Sequence, residues 1–481
     1  MKGGPVNNQP AFHRGFRRKG GFAMVMPRIL AALRLLVLLL LSITLTAQPA
    51  MAQSVLRDAE TEALFKDIAR PLAIAAGLEP NNLQIILLGD KEINAFVAGG
   101  QAIYINSGLI SAADNVNEVQ GVIAHELGHI TGGHIIRFSE GAKAATGITL
   151  LSLLLGAAAM AAGAGDAGMA AMMAGQQAAM GKFLAFTRTQ EASADAAGVG
   201  FLRKAGISGR GSISFFQKLR SQEYRLSSSY ADVDPYAQTH PLSADRAQRL
   251  EADYRQSPAW DKPTDPALEA RFQRIKAKLV GYIEDPQTTL SKYPESNQSV
   301  PALYARAYAW HKRAYPDRAA QEVEKLIAVA PHDPYFLELK GQILLESGKP
   351  KEALGPLREA VARSNNQPLI AATFGHALIA TEDPANFAEA RKVLKLSVAR
   401  DNDNPFAWYQ LGIVYAREGD EPRAALATAE RYNLEGNARL ALASADAAMH
   451  GIPQGTPDYL RAQDIAMVSR TAVQEEKKKR R

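Results

Sequence analysis

The stretch GVIAHELGHITGGH, residues 121–134, holds three of the nine histidines of this 481-residue chain beside one glutamate. Its core, HELGH, places His125 and His129 four residues apart with Glu126 directly after the first. On an α-helix, residues four apart share a face, one turn above the other. Two imidazoles so placed can grip one ion, and HExxH on a helix is a zinc-hydrolase signature for that reason. The ion brings the pKa of water toward ~7, and the carboxylate beside it takes the proton. Val119, Val122, Ile123 and Ile130 recur at helical spacing around the motif and support the helix.

A catalytic zinc takes three protein ligands and keeps one position open. The chain has no cysteine, so the set must come from His and carboxylate. His134 lies only five residues after His129, and a continuing helix would turn it ~140° away. It reads as a residue behind the ligands or at the surface. Glu191 is the better third ligand. The stretch EASAD puts Glu191 and Asp195 on one helical face, where Glu191 completes a His₂Glu set. Asp195 can then accept a hydrogen bond from the outer nitrogen of a zinc histidine and fix its tautomer. A plain surface pair between Arg188 and Glu191 fits the same residues.

Several elements must hold these side chains. Residues 53–78 are patterned as a helix. Leu83 to Leu88 and Ala95 to Ile105 read as strands, with Gly99-Gly100 turning a hairpin. Asn94, Ala95 and Phe96, or the partner run Ala102 to Ile105, could offer an open edge to an extended peptide. A wholly internal strand pair is the alternative. The HELGH helix should start at Asp114 or Asn115 and stop at Gly132-Gly133. Residues 144–180 are rich in Leu, Ala, Gly and Met. A mobile lid or surface-seeking loop is the favoured reading; a membrane span and a buried helix pair are the others. A helix resumes near Phe183 and runs to Gly206. Another follows His240-Pro241, and Pro258, Pro263 and Pro266 mark a linker.

Beyond residue 300 the chain repeats. Pro334, Pro368 and Pro405 share the 34- and 37-residue spacings of Gly341, Gly375 and Gly412, with Ala320, Ala353, Ala390 and Ala424 in step. Trp408, Leu411, Gly412, Tyr415 and Ala424 hold tetratricopeptide offsets. Three to four such repeats stack into a superhelix with a concave face. The wider spacing implies three extra residues near TEDPANF.

The net charge of +6 resides at the start of the chain. Seven basic and no acidic residues precede residue 53, leaving 48 basic against 49 acidic residues. That balance gives no basic body and points to no nucleic-acid partner. The basic start, the apolar run from Leu35 to Ala47 and Ala50-Met51-Ala52 read as a secretory signal peptide cleaved after Ala52. An uncleaved anchor is the alternative.

HELGH, a long insert, RTQEASAD and then THPLSADR together resemble the integral-membrane CAAX-protease and heat-shock zinc metalloprotease superfamily. The export signal ahead and the repeats behind are similar to its periplasmic branch. The resemblance implies a mainly α fold with a small β-sheet, a gluzincin-type metalloprotease domain followed by an α-solenoid of tetratricopeptide repeats. The expected divisions are 1–52 signal peptide, 53–262 protease, 263–300 helical linker, 301–450 repeats and 451–481 C-terminal helix and basic tail. It implies one Zn²⁺ per chain on His125, His129 and Glu191, Glu126 as base and Asp195 behind the ligands. It also singles out His240 and Arg246, as stabilisers of a developing oxyanion or, for His240, as a cap on the metal. The expected partners are unfolded or misassembled outer-membrane proteins, and the outer-membrane assembly machinery through the repeat groove. Peripheral membrane contact is a further expectation for 145–180. A repeat-based chaperone with a latent protease site is the competing function.

Overall fold

The computed structural model describes residues 54–161, 164–226, 240 and 244–479. The expected signal peptide and its cleavage point lie outside them. The start of the described chain departs from the expected helix. Val55–Leu56 form a short strand, β1, and Asp58 then caps helix α1, Ala59–Ala75, by accepting from the Thr61 amide at 2.8 Å. Three further strands, β2 (Gln84–Leu88), β3 (Ala95–Val97) and β4 (Ala102–Asn106), complete a four-stranded sheet in the order β1-β2-β4-β3. β2 and β4 run parallel; β1–β2 and β3–β4 are antiparallel, with Val97 opposite Ile103. The β3–β4 hairpin is the expected one, and Gly99 and Gly100 make its turn with φ of 69° and 60°. That left-handed region costs a residue without Cβ little.

After the short α2 (Ser107–Ala112), helix α3 (Val116–Thr131) carries the HELGH motif. Asn115 caps it, accepting from the Glu118 amide at 3.0 Å. α3 is buried on nearly every side. Its Val119, Ile123 and Leu127 pack with Leu64, Ile68 and Leu72 of α1 and Ile103 and Ile105 of β4. Each such side chain contributes roughly 1.5–3 kcal/mol, enough to hold the motif rigidly.

Gly132-Gly133 breaks α3, with φ of 61° at Gly133, and α4 (His134–Ala161) begins at once. It packs along α5 (Gly165–Ala205), which ends in a left-handed Gly206. This corrects the expectation of a lid or loop followed by a helix resuming at Phe183. The segment is a pair of long helices, and α5 is continuous over 41 residues. Helices α6 (Arg210–Leu226), α7 (Ala244–Arg255) and α8 (Pro266–Ile283) close over the core. The expected linker is partly core: Phe272, Ile275 and Leu279 of α8 join the cluster around α3.

A short α9 (Pro286–Lys292) leads to five helical pairs among the described residues. They are Val300–Lys312 with Pro316–Val329 (α10, α11), Pro334–Glu346 with Pro350–Arg363 (α12, α13), and Pro368–Ala380 with Phe387–Arg400 (α14, α15). Pro405–Arg417 with Glu421–Leu434 (α16, α17) and Ala438–Gly451 with Pro457–Lys479 (α18, α19) follow. The segment expected as a separate C-terminal helix is thus the second half of a fifth pair. Prolines open α12, α14 and α16, where a helix has no use for the missing N–H. A Cβ at Gly375 would lie 2.5 Å from Leu394 Cγ, so only glycine lets α14 and α15 approach so closely. The extra residues of the third repeat form a 3₁₀ turn, Pro384–Asn386. The buried alanine of the first repeat is Ala319, not Ala320, 34 residues before Ala353.

Candidate metal centre

His125 and His129 leave α3 on the same side, their Nε2 atoms 3.1 Å apart. Glu191 approaches from α5, with Oε1 at 3.2 Å from His129 Nε2 and Oε2 at 3.5 Å from His125 Nε2. The approach depends on Gly128. A Cβ there would sit 2.5 Å from the Ala194 carbonyl oxygen, so a side chain would push α5 and its carboxylates away. Sequence reasoning gave Gly128 no role; its place inside HELGH, on the turn facing a second helix, was the available signal.

Outer atoms of both rings are held as well. His125 Nδ1 donates to Asp195 Oδ1 at 3.0 Å. His129 Nδ1 lies 2.9 Å from His134 Nδ1. The glycine break explains the second contact. The chain restarts as a new helix at residue 134, and the buried His134 folds back on His129 instead of rotating away with α3.

His240 joins the cluster. Its Nδ1 lies 3.1 Å from Glu191 Oε1 and 3.3 Å from His125 Nε2, and its Nε2 is 3.6 Å from Glu126 Oε1. Ligand atoms of His125, His129, Glu191 and His240 all fall within 4.8 Å of one another. Arg246 sits behind them. Its Nε and Nη2 donate to Asp195 Oδ2 and Oδ1 at 2.6 and 2.8 Å, and Nη2 is 3.0 Å from Glu191 Oε2. These contacts differ from the expected aim at an oxyanion. They make Arg246 a clamp on the two carboxylates of α5.

Two observations test whether this set fits zinc. The inner atoms of His125, His129 and Glu191 are acceptors packed face to face, an arrangement that a cation satisfies. Both oxygens of Glu126 are buried without a hydrogen-bond partner. Leaving such a group unsatisfied costs about 1–3 kcal/mol or more for a charged one. The residues therefore fit a His₂Glu zinc ion with Glu126 beside it.

The electrostatics of the metal-free protein follow from burial and pairing. Burial, the largest influence, pushes the Glu126 carboxyl up. Burial also opposes charge on Asp195, but hydrogen bonds from Arg246 and His125 outweigh it and hold the carboxyl at about 2. Burial disfavours a proton on His125, yet Asp195 and Glu191 push the ring up to about 10. The Asp195 contribution to stability is present above its unfolded pKa of ~3.9 and is lost as pH falls through that value toward 2. The His125 contribution is complete below ~6.5 and is lost as pH rises from there through the raised value. Burial, the largest influence on His129, holds that ring down at about 4, and its contribution is lost as pH falls below ~6.5. Chelator-treated protein is therefore expected to resist urea best near pH ~6.5. A urea midpoint that climbs steadily from pH 6 to 9 would contradict this assignment.

The sheet edge packs against α3, the helix that carries HELGH. β4 is paired on both sides, so Ala102 to Ile105 offer no free edge, whereas β3 is an edge strand packed against α3. Ala95 is buried, and Phe96 stacks on Tyr104 with centroids 5.2 Å apart. The Asn94 carbonyl accepts from the Asn106 amide, and Asn94 Oδ1 is buried without a partner.

Residues 56–253 match Peptidase family M48. The chain is 26% identical over 360 residues to the β-barrel assembly-enhancing protease of Yersinia pestis, spanning 73% of this chain and 71% of that protein. It is 27% identical over 380 residues to the β-barrel assembly-enhancing protease of Escherichia coli, spanning 77% and 75%. Metalloprotease LoiP of Escherichia coli is 33% identical over 187 residues, 38% of this chain and 66% of LoiP. With its two histidines, its glutamate from a second helix and its buried carboxylate, the first half of this chain is a peptidase family M48 domain, a zinc metalloprotease unit carried ahead of tetratricopeptide-like repeats.

Proposed function

We propose that the chain is an exported endopeptidase that acts in the periplasm on unfolded or misassembled outer-membrane proteins, with Glu126 as its base. The observation that carries this reading is the Glu126 carboxylate, buried without a hydrogen-bond partner beside three converging candidate ligands. The names of the relatives from Yersinia pestis and Escherichia coli supply the substrate class. When bound, zinc supplies Lewis acidity that brings the ionisation of water into the neutral range. Glu126 takes the proton from that water and later returns it to the leaving amine. Asp195 and His134 keep the two imidazoles in the tautomers that face the ion, and Arg246 keeps Asp195 and Glu191 in place. A substrate strand adds to β3 along Asn94, Ala95 and Phe96, which brings an extended chain past the centre. The repeat groove docks the assembly machinery.

His240 favours a second state of the same protein. Its ring shares the ligand cluster, so it can occupy the position that substrate and water need and keep the protease latent. In that state the repeats act as an adaptor or chaperone. One gel assay addresses both readings. Zinc-loaded protein should degrade an unfolded outer-membrane protein and spare its folded form; equal cleavage of both would remove the proposed selectivity. His240→Ala should speed the same cleavage by about tenfold, as for a cap that closes the site most of the time. Slower cleavage by that variant would make His240 a catalytic residue instead.

A further inference from the structure

The α4–α5 pair is packed inside out for a protein in water. At its closest points the two helices meet through small residues, with Met160 and Met172 packed beside the glycines and Phe138 against Phe183 nearer the metal centre. A Cβ at Gly156 would lie 2.7 Å from the Gly168 carbonyl oxygen, and one at Gly175 would lie 1.9 Å from Ser152 Cβ. The leucines of α4 face outward: Leu150, Leu151, Leu153, Leu154 and Leu155 are all exposed, Leu154 by 70%. Only 11% of the most apolar 18-residue stretch of α4 is buried, so this is not a core helix. Small residues between helices and leucines outside is the pattern of helix pairs in lipid.

The polar groups follow the same rule. Hydroxyls of Thr146, Thr149 and Ser152 donate to carbonyls of their own helix at 2.8, 3.1 and 2.8 Å and so need no water. Between Lys143 and Lys182, Asp166 is the one charged residue in the sequence, and it lies at the start of α5. The two lysines flank the apolar segment at the base of the pair, where anionic headgroups would complement them.

We infer that the α4–α5 pair is a lipid-embedded platform, lying along a membrane surface with the leucines of α4 in the hydrocarbon and Gln176 and Gln177 of α5 at the headgroups. The arrangement follows from the helix faces. Ser152 and Gly156 face α5, so Leu150 and Leu154 point away from it; Gly175 faces α4, so Gln177 points away on the opposite side. Lying flat keeps Asp166 and both glutamines out of the hydrocarbon, which a perpendicular insertion would not. The inference goes beyond the proteolytic reading and stands without it. Its consequence is that α4, which begins at His134, and α5, which carries Glu191, tether the metal centre to the bilayer.

The absence of cysteine makes a local test direct. Leu154→Cys and Gln177→Cys proteins, each labelled with a small fluorophore, are mixed with vesicles of phosphatidylethanolamine and phosphatidylglycerol carrying brominated acyl chains. The label at 154 should be quenched at least severalfold more than the label at 177. Adding Leu151→Glu, a surface change, should cut the quench at 154 by roughly tenfold. The quench is local, so attachment through residues 35–47 or the basic tail does not imitate it. Absence of quenching at 154, equal quenching at both positions, or quenching that survives Leu151→Glu would overturn the inference. So would a vesicle-free blue shift of the 154 label in a self-associated species, which would show a second copy covering the face.

Discussion

Replacing Glu126 with Gln is expected to slow peptide cleavage by about a thousandfold while zinc stays bound. Glutamine keeps the volume and the hydrogen-bonding reach of the side chain, so the buried site does not collapse. What it removes is the ability to take a proton. Glu126 is fully buried, its oxygens have no hydrogen-bond partner and only the His240 ring within ion-pair reach, and burial raises its proton affinity. Those are the properties of a base that receives a proton from a neighbouring water rather than of a structural ion pair. A thousandfold corresponds to about 4 kcal/mol of barrier, within the range of one acid–base group. The ligands His125, His129 and Glu191 are untouched, so metal analysis should still find one zinc per chain. Single-turnover cleavage and metal content together check the result. Cleavage at the original rate would remove Glu126 from the mechanism. Loss of zinc would make it part of the metal's support instead.

The second large effect is expected far from the metal. Lys278→Met should lower stability by about 3 kcal/mol. Lys278 lies on α8 and is nearly fully buried, bonding to Asp58 and reaching Glu60 Oε2 at 3.4 Å. Glu60 also pairs with Arg274 and accepts from the Tyr304 hydroxyl of α10 at 2.8 Å. Arg274 continues to Asp333, the cap of α12, at 2.7 Å. One chain of ions therefore joins α1 of the protease, α8 and the first two repeats. Breaking a buried pair by removing one partner costs about 3–5 kcal/mol because the other charge is stranded. The lower end applies here, since Asp58 is partly exposed and Glu60 keeps Arg274 and Tyr304. Asp58→Asn in the same protein should restore part of the loss, because the stranded charge disappears. Urea unfolding of the single and double variants measures both. An unchanged midpoint for Lys278→Met would mean that the network does not hold protease and repeats together.

The candidate ligand set was legible in the sequence for a local reason. Four-residue spacing on a helix decides which side chains share a face, and HELGH and EASAD are each read within a single helix. The repeats were legible because each copy restates the same proline, glycine and alanine positions. The register of its first alanine was missed by one residue, since neighbouring alanines look alike in composition and only packing separates Ala319 from Ala320. The hairpin of β3 and β4 was read from an apolar, β-branched run interrupted by Gly99-Gly100, but which strand stays open depended on β2, which pairs with β4 from elsewhere in the chain.

By itself, the sequence determined the helix faces that carry His125 with His129 and Glu191 with Asp195, and the repeat period, because each rests on interactions between near neighbours. Tertiary structure decided what faces what across distance. It turned Arg246 toward Asp195 and Glu191, folded His134 back onto His129 and set His240 among the ligands. It also drew α8 into the protease core and left the leucines of α4 outside. Those outcomes depend on how closely helices approach, as at Gly128 and Gly156, and on which buried charges find partners. Neither is a property of spacing along one chain.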